Sequence, residues 1–584
     1  MKIIVNTIGV YLLIMILGSC DKGIGDFLDK APGVDITEDV VFSSQQELLS
    51  FVSGIYFDGI PAGYPYKGFN DISGNVLNTG GATEEADLDR SWYPSNDWNG
   101  GSIGPGSIIW HEDAIYNKRW EVIRRINTVL ERINDVPDLT EEEKNQFIGE
   151  VLFIRALTNF EILKRYGGFP IVKERFDLTD DLMIPRSTVE ECVNFIVEDC
   201  DRAAEFLPDA NMGIMRGRAT KGAALMVKSR TLLYAASPLL NTGDPYLDFG
   251  ENNELICYGS TDVQRWQLAA DAARAVIDWA PQGQCHLIED QGEDKNYKYV
   301  WEQTDNSEII LADKPISEQN AWSMMPWGNY VPATIYNGQV GASVPMNHVM
   351  KYEKRDGTPQ SWNMEDGGDD LNQKYEELDY RFKQSVAYNG AYWNEDYPVV
   401  ETYEGGAHIS QCLGGAWLRK GIPTALTRSN PVIVNWIVFR LAEAYLNYAE
   451  ALNEANGGPT PEAYEAVNKI RNRSGMPDLP EGLIQEEFRQ RVRNERAVEL
   501  FFEDHRFWDI RRWLIAEEEG VMQGDFYGLK INPVGSGEVT EDTEFRYDFY
   551  VFETRTFHKK MYLHPYPLEE VNKGYIVENP GYIR

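Results

Sequence analysis

The seven histidines, at 111, 286, 348, 408, 505, 558 and 564, are the side chains best suited to acid–base work or zinc binding, and their spacing supports neither. A zinc hydrolase helix carries two histidines four residues apart around a glutamate, whereas His111-Glu112 lacks the second histidine. No Gly-x-Ser-x-Gly elbow offers a serine nucleophile. Gly100-Gly101-Ser102-Ile103-Gly104-Pro105-Gly106 has neither the spacing nor the lysine of a phosphate loop, so it reads as flexible surface chain. Glu365, Asp366, Asp369 and Asp370 could present carboxylates to calcium, but the alternate-position spacing of a calcium loop is missing and a solvated acidic loop is expected. A glycosidase needs only two carboxylates about 5–9 Å apart, and with 92 acidic residues the sequence leaves such a pair open.

Binding chemistry is better supported than catalysis. A sugar shows an apolar C–H face bounded by hydroxyls, so a site for it needs exposed rings and short polar side chains around them. Residues 83–99, TEEADLDRSWYPSNDWN, have that composition. So do Trp322, Trp327 and Tyr330, set among Asn320, Ser323, Gly328 and Asn329. In both segments the rings either face a ligand or pack beneath the loop. Aromatic residues make up 12% of the chain, more than a core strictly needs, which favours some of them facing a ligand.

These loops must be held by a folded body. With 43% hydrophobic residues the 584-residue chain can bury a core, while a net charge of −37 repels phosphates and excludes nucleic acid and anionic headgroups as broad partners. Residues 1–19 read as a secretory leader ending at Leu17-Gly18-Ser19-Cys20, which looks like a bacterial lipoprotein box with Cys20 as the lipidated residue. The apolar run is too short to span a bilayer and no later segment is longer. The five other cysteines, at 192, 200, 257, 285 and 412, show no disulfide framework and are expected to be buried.

Capping patterns at Ser44/Glu47, Thr140/Glu143, Ser187/Glu190 and Thr261/Gln264, and Thr460 before Pro461, mark helix starts. Apolar spacing then predicts helices near 44–57, 114–136, 140–166, 187–207, 218–237, 261–280, 431–456, 460–474 and 484–516. Short connections pair several into hairpins that resemble tetratricopeptide repeats without a strict period. Two long stretches, 57–113 and 281–430, fall outside the helices and are expected to carry function. Alternation around Tyr547–Phe557 suggests a strand or hairpin.

Arg493 to Trp513, RNERAVELFFEDHRFWDIRRW, resembles the signature helix of the SusD/RagB family of nutrient-binding outer-membrane lipoproteins. Phe439 to Gly475 is similar to that family's preceding hairpin, Leu563 to Tyr582 to its closing segment, and Phe27-Leu28-Asp29-Lys30-Ala31-Pro32 to its start. The signature run sets Glu495, Glu499, Phe502, Arg506, Asp509 and Trp513 on one helical face, where a buried pairing of Glu499 with Arg506 is expected to serve structure. The resemblance implies a mainly α fold of tetratricopeptide-like hairpins in one scaffold, with a large loop-rich ligand-binding region and minor β structure. The body after residue 19 is then one unit: helices over 20–280, a loop-rich insert over 281–430, helical hairpins over 431–516 and a closing tail over 517–584.

It also implies function. SusD-like proteins cap a TonB-dependent barrel of SusC type and hand it a captured oligosaccharide or, in some members, a peptide. By matching order, ligand contacts carry over to Asp87, Arg90, Trp98 and Asn99, with Trp92 and Asp97 as neighbours. No catalytic residue, metal or cofactor is expected. A lipid-anchored glycosidase or peptidase, or a structural surface protein, are the alternatives. Because one thiol is expected to carry the whole anchor, Cys20→Ala should move the protein from the membrane to the soluble fraction on cell fractionation; retention in the membrane would refute the anchor.

Overall fold

The computed structural model describes residues 37–582 apart from 62–75, 89, 91, 177–178, 315–329, 337, 339, 428, 431 and 433. The leader, Cys20, Trp322 and Trp327 lie outside the described residues. Among the described residues no helix is long and apolar enough to cross a membrane.

The structure is mainly helical. The helices that matter below are α1 (Glu38–Val41), α2 (Gln45–Gly59), α3 (Val76–Gly81), α4 (Ser95–Asn99), α5 (Tyr116–Arg132), α6 (Glu141–Tyr166), α7 (Val189–Phe206), α8 (Lys221–Ala236), α9 (Gln264–Trp279), α10 (Leu441–Ala455), α11 (Pro461–Arg473), α12 (Gln485–Glu499) and α13 (Arg506–Arg512). After α5, each long helix through α12 packs on the one before it in the chain, and α2 packs on α5 and α6. Small residues permit the close crossings. Ala269 and Ala270 of α9 share one apolar cluster with Ala449 and Ala451 of α10, where larger side chains would hold the axes apart.

Local signals explain several helix starts. Thr140 accepts the Glu143 N–H at 3.3 Å while the Glu143 carboxylate accepts the Thr140 N–H at 2.9 Å. The next reciprocal cap is Thr188 with Glu191, one residue beyond the expected Ser187/Glu190, because the Ser187 N–H is spent on the Phe169 carbonyl. At α9 no Thr261 box forms; Asp262 accepts the Gln264 N–H instead, at 2.9 Å. Thr460 caps α11 with Pro461 in first position, as expected.

Two expected helices are corrected. The start of 431–456 is a strand: Trp436–Arg440, an unbroken buried run, pairs antiparallel with Ile309–Asp313. With these as β4 and β1, the short strands Val386–Ala387 (β2) and Trp417–Leu418 (β3) form a second pair, and Gly524–Pro533 (β5) with Phe545–Arg555 (β6) a long hairpin. The expected helix over 484–516 breaks after Glu499 and resumes at Arg506. Phe502 and Asp504 sit in the left-handed region, at φ 55° and 61°, so the face drawn through Glu495, Phe502 and Trp513 is not continuous. One apolar core links these parts, reaching from Val52 of α2 through Leu157 of α6 to Trp393 and Trp417 of the loop-rich stretch and Leu529 of β5.

Through that core runs a charge network. Glu499, fully buried, is held by Arg440 at 2.6 Å, Arg381 at 3.0 Å and Arg473. Arg440 and Arg473 both reach Glu308, Arg440 also reaches Glu503, and Arg381 also reaches Glu495 and Asp379. Glu499 therefore does not pair with Arg506, which bonds Glu84 instead at 2.6 Å. Burial alone would raise the Glu499 pKa, but the guanidiniums of Arg473, Arg440 and Arg381 outweigh it and hold the carboxyl well below the usual range. Its stabilising contribution is thus present above the ordinary carboxylate pKa and lost as pH falls from there through the lower pKa of the folded state. Glu499→Ala leaves three buried guanidiniums short of a partner and should lower the unfolding free energy by about 3–5 kcal/mol in denaturant titration at neutral pH; a change under about 1 kcal/mol would show that the network does not hold the core.

Candidate functional site

The segment expected to carry the site lies across the break between α12 and α13. α3 is wholly buried, and a Cβ on Gly80 would come within 2.5 Å of the Phe502 ring, so this close approach requires glycine. The left-handed turn at Phe502 is held from the other side: a carboxyl oxygen of Glu85 accepts the Phe502 N–H at 2.9 Å. Thr79 donates to Asp504 at 2.8 Å. Next to Glu85, Glu84 is clamped by Arg506 at 2.6 Å and Lys351 at 3.2 Å. Arg555 of β6 donates to the carbonyls of Thr83 at 2.6 Å and Ala86 at 3.2 Å. Asp87 then exchanges both backbone hydrogen bonds with Ser343, at 2.7 and 2.9 Å, and Ser343 bridges to Trp417 of β3. Residues 79–87 are therefore fixed by backbone and buried charge.

Beyond Asp87 the chain reaches the surface. The Arg90 carbonyl accepts the Tyr93 N–H at 2.8 Å and the Asn96 side-chain amide at 2.6 Å, closing a tight polar turn. Trp92 stands out of that turn, 54% exposed, its ring 5.6 Å from the buried Tyr93 ring beneath it. Arg90 is half-buried at its base. Asp97, also half-buried, accepts the Ser102 hydroxyl at 2.8 Å.

The other expected contacts are placed differently. Trp98, expected as a stacking face, is 1% exposed, edge-on to Phe507 at 5.1 Å and beneath the Arg511 guanidinium at 5.4 Å. Its ring is core, because α4 turns it inward onto α13. Asn99 is buried and donates to the Gly81 carbonyl at 3.1 Å, and the buried Asp87 carboxylate lies 3.9 Å from Arg555. Tyr330 is also buried, edge-on to Phe502 at 6.0 Å. As placed, these four side chains brace the segment and do not face solvent. Trp322 and Trp327 lie outside the described residues.

The described residues on either side, in the chain, of the stretch that contains those tryptophans, Tyr330 and Lys314, each border a hollow. Beside Tyr330, a cavity of about 20 Å³ among Trp301, Lys420, Asn435, Trp436 and Phe502 has room for a water and not for a sugar ring. At the other end, Lys314 lies on the lip of a cleft of about 550 Å³ bordered by Arg216, Trp279, Asp305, Asn306 and Ser307. A cleft of that size and mixed polarity takes one or two sugar rings. Sequence reasoning misses it, because its lining comes from the chain before α8, the end of α9 with the turn after it, and β1 with the residues leading into it, each unremarkable alone. It also misses Glu84 and Glu85 as supports; adjacent acids in a segment otherwise buried are the available signal. Among the described residues no cluster of His, Cys, Asp and Glu could hold a metal ion.

Comparison with known proteins shows what the whole chain is similar to. A family model described as "SusD family" matches residues 289–582, and one described as "Starch-binding associating with outer membrane" matches 26–233. A SusD-like protein of Formosa agariphila, P25, is 23% identical, covering 97% of this chain and 96% of its own. A crystal structure of a SusD-like protein from Bacteroides fragilis superposes with a TM-score of 0.75 at 27% identity, over 95% of this chain and all of that one. A structure titled as a laminarin-binding SusD-like protein superposes at 0.58 and 21% identity, over 93% of this chain and all of its own.

The brace at Glu85 can be tested by pH. Burial, helped by the neighbouring Glu84 charge and only partly offset by the Phe502 N–H, pushes its carboxyl from 4.5 up to about 8. The folded state holds this proton more tightly than the unfolded chain, so the contribution is fully present below pH ~4.5 and lost as pH rises through the folded pKa. Glu85→Gln keeps the acceptor and cannot ionise. It should leave stability at pH 5 nearly unchanged and exceed the parent at pH 9 by about 2–4 kcal/mol, the cost of ionising a buried acid after some relaxation around it. Parallel pH dependence in urea titrations of the two proteins would refute the buried neutral acid.

Proposed function

Because the chain belongs to the SusD family, we propose that it is a lipid-anchored protein of the outer-membrane surface that binds an oligosaccharide and delivers it to a TonB-dependent barrel of SusC type. The observation that carries the binding role is the Trp92 ring, 54% exposed in a hydrogen-bonded polar turn, with the half-buried Arg90 two residues before it and Asp97 five after it in the chain. An aromatic face rimmed by short polar groups suits the apolar face and hydroxyl edge of a sugar. Trp322 and Trp327 remain proposed as further stacking faces, and the cleft beside Lys314 as space into which a longer chain could extend. The family description that names starch binding and the outer membrane, and a fold neighbour titled as binding laminarin, support a glycan as the ligand class.

A binding role also accounts for the adjacent acids at the base of the segment. Glu84 and Glu85 are buried and committed to Arg506, Lys351 and the Phe502 backbone, so this pair has no face from which to protonate a glycosidic oxygen. On this reading the protein is a binder and not a hydrolase.

Two paired measurements test the site. On a glycan array and by calorimetry with the glycan it selects, Trp92→Ala should weaken binding tenfold or more, about 1.4 kcal/mol, with an unchanged melting temperature. Trp98→Ala should do the reverse, costing about 3–5 kcal/mol of stability by emptying a core position. Retained affinity in Trp92→Ala would move the site elsewhere. Extraction in mild detergent should recover a large TonB-dependent barrel with the protein.

A further inference from the structure

The cleft of about 550 Å³ is lined by β1 with the turn that leads into it and by the loop between α7 and α8. That loop is closed on itself, because the Asn211 side-chain amide donates to the carbonyls of Arg218 at 3.0 Å and Ala219 at 2.8 Å. Just before this closure the chain turns at Gly217, with φ 90°. The end of the Lys314 side chain lies 3.3 Å from where a Cβ on Gly217 would stand. Glycine therefore makes the turn and leaves the lysine its place against the loop.

The other charges on this lining are spent on partners. Arg218 is held by Glu150 at 2.6 Å, and Arg216 pairs with Asp305. Asp305 is the one acid on the lining; Asp313, the chain neighbour of Lys314, is not part of it, and Glu308 is buried against Arg440 and Arg473. Lys314, exposed, makes no ion pair among the described residues. The unspent charge of the cleft is thus positive, on a chain whose net charge is −37. Salt at physiological strength screens exposed charges beyond about 8 Å, so the groups lining the cleft decide what it attracts more than the net charge does.

The same lining carries neutral groups with nothing to hold. The hydroxyls of Thr304 and Ser307 make no hydrogen bond among the described residues, and Trp279 Nε1 and Thr220 Oγ1 are buried without a partner. Polar groups buried in a folded protein are nearly always paired, so such atoms on the lining of a cleft point to a bound polar molecule. Gln284, also on the lining, is held in the left-handed region at φ 55°, a strain of the kind that gathers at ligand sites. A neutral sugar would leave Lys314 unanswered, and a simple anion would leave the hydroxyls so.

We propose that the cleft is a binding site for a negatively charged sugar unit, its carboxylate or sulfate ester paired with Lys314 and its hydroxyls meeting Thr304 and Ser307. The proposal rests on the glycan reading and narrows it, since the oligosaccharide this protein captures then carries negative charge.

The test uses the full mature chain with Cys20→Ala. An array of neutral, uronate-bearing and sulfated oligosaccharides selects the best binder of each kind, and calorimetry compares them. An acidic probe should bind about tenfold or more tighter than the neutral one at low salt, and high salt should remove most of that difference; which acidic arm wins identifies the anion. Lys314→Gln should cost the acidic probe a similar factor while leaving the neutral probe and the melting temperature unchanged, and Lys314→Arg should keep the affinity. The acidic probe should slow amide hydrogen exchange over 211–220 and 304–314, in Trp92→Ala as in the parent. If the best binder is neutral and Lys314→Gln binds it as the parent does, the proposal falls and the glycan reading stands. If no oligosaccharide of any kind binds, both fall. Slowed exchange confined to 88–99 would place the recognition of charge elsewhere and overturn the proposal, and so would equal, Lys314-dependent binding of a short polyglutamate peptide, which would show that the cleft reads charge alone.

Discussion

The structure hangs on one buried carboxylate. Glu499 ends α12 with no exposed surface, and the guanidiniums that reach it come from β4, from α11 and from the loop-rich stretch at Arg381. Taking these charges out of water costs several kcal/mol each, and their mutual attraction returns that only if the geometry is complete. The network is nearly complete in that sense: Glu308, Glu503, Glu495 and Asp379 satisfy further donors of the same arginines, and the Nε of Arg473 is the donor left without a hydrogen bond. Such a lattice adds little net stability over an apolar core. It does make any other register of the loop-rich stretch against the helices expensive, because a shift would strand several buried charges at once. That suits a protein whose long irregular segments have little secondary structure of their own to place them.

The helix break that follows Glu499 converts this rigidity into a platform. A helix continued through 500–505 would point Phe502 back along α12. The left-handed residues at 502 and 504 turn the chain so that the Phe502 N–H meets Glu85. A bulky residue in that conformation is strained and persists only where its surroundings over-determine it. Gly80, Glu85 and Thr79 supply those surroundings. The segment carrying Trp92 is therefore fastened to the buried charge-bearing part of the molecule, while the Trp92 ring itself is exposed. Recognition residues on short loops above a fixed support can change with little cost to the fold.

How much of this is legible in the sequence follows from which interactions are local. Caps at Thr140 and Thr460 and the stripes of α5 and α10 depend on residues a few positions apart, and the sequence reading of them agrees with the structure. The cap at Thr188 falls one residue from its expected place because Ser187 is claimed by Phe169, a partner from another segment. Trp436–Arg440 reads as helix because a short apolar run fits either a buried strand or a helix turn, and only the distant Ile309–Asp313 decides between them. The break at Phe502 carries no glycine to announce it. Trp98 and Trp92, six residues apart in the same polar segment, are indistinguishable until α13 and Arg511 are in place to receive one of them. The buried network is legible in kind and not in partner: Glu499 and Arg506 are both structural, but the residues that hold them lie far away in the chain.

On the proposed reading, the same separation of rigid frame and projecting ring sets the character of binding. A single exposed indole with a few polar neighbours offers limited buried area, and ordering a flexible sugar consumes part of what is gained, so an affinity far tighter than micromolar is not expected from this turn alone. Weak contact suits transfer: at ordinary association rates of about 10⁵–10⁷ M⁻¹s⁻¹, a micromolar complex dissociates in well under a minute, fast enough for a barrel held alongside to take the ligand. Holding the two together then falls to the anchor and to surfaces other than the sugar site.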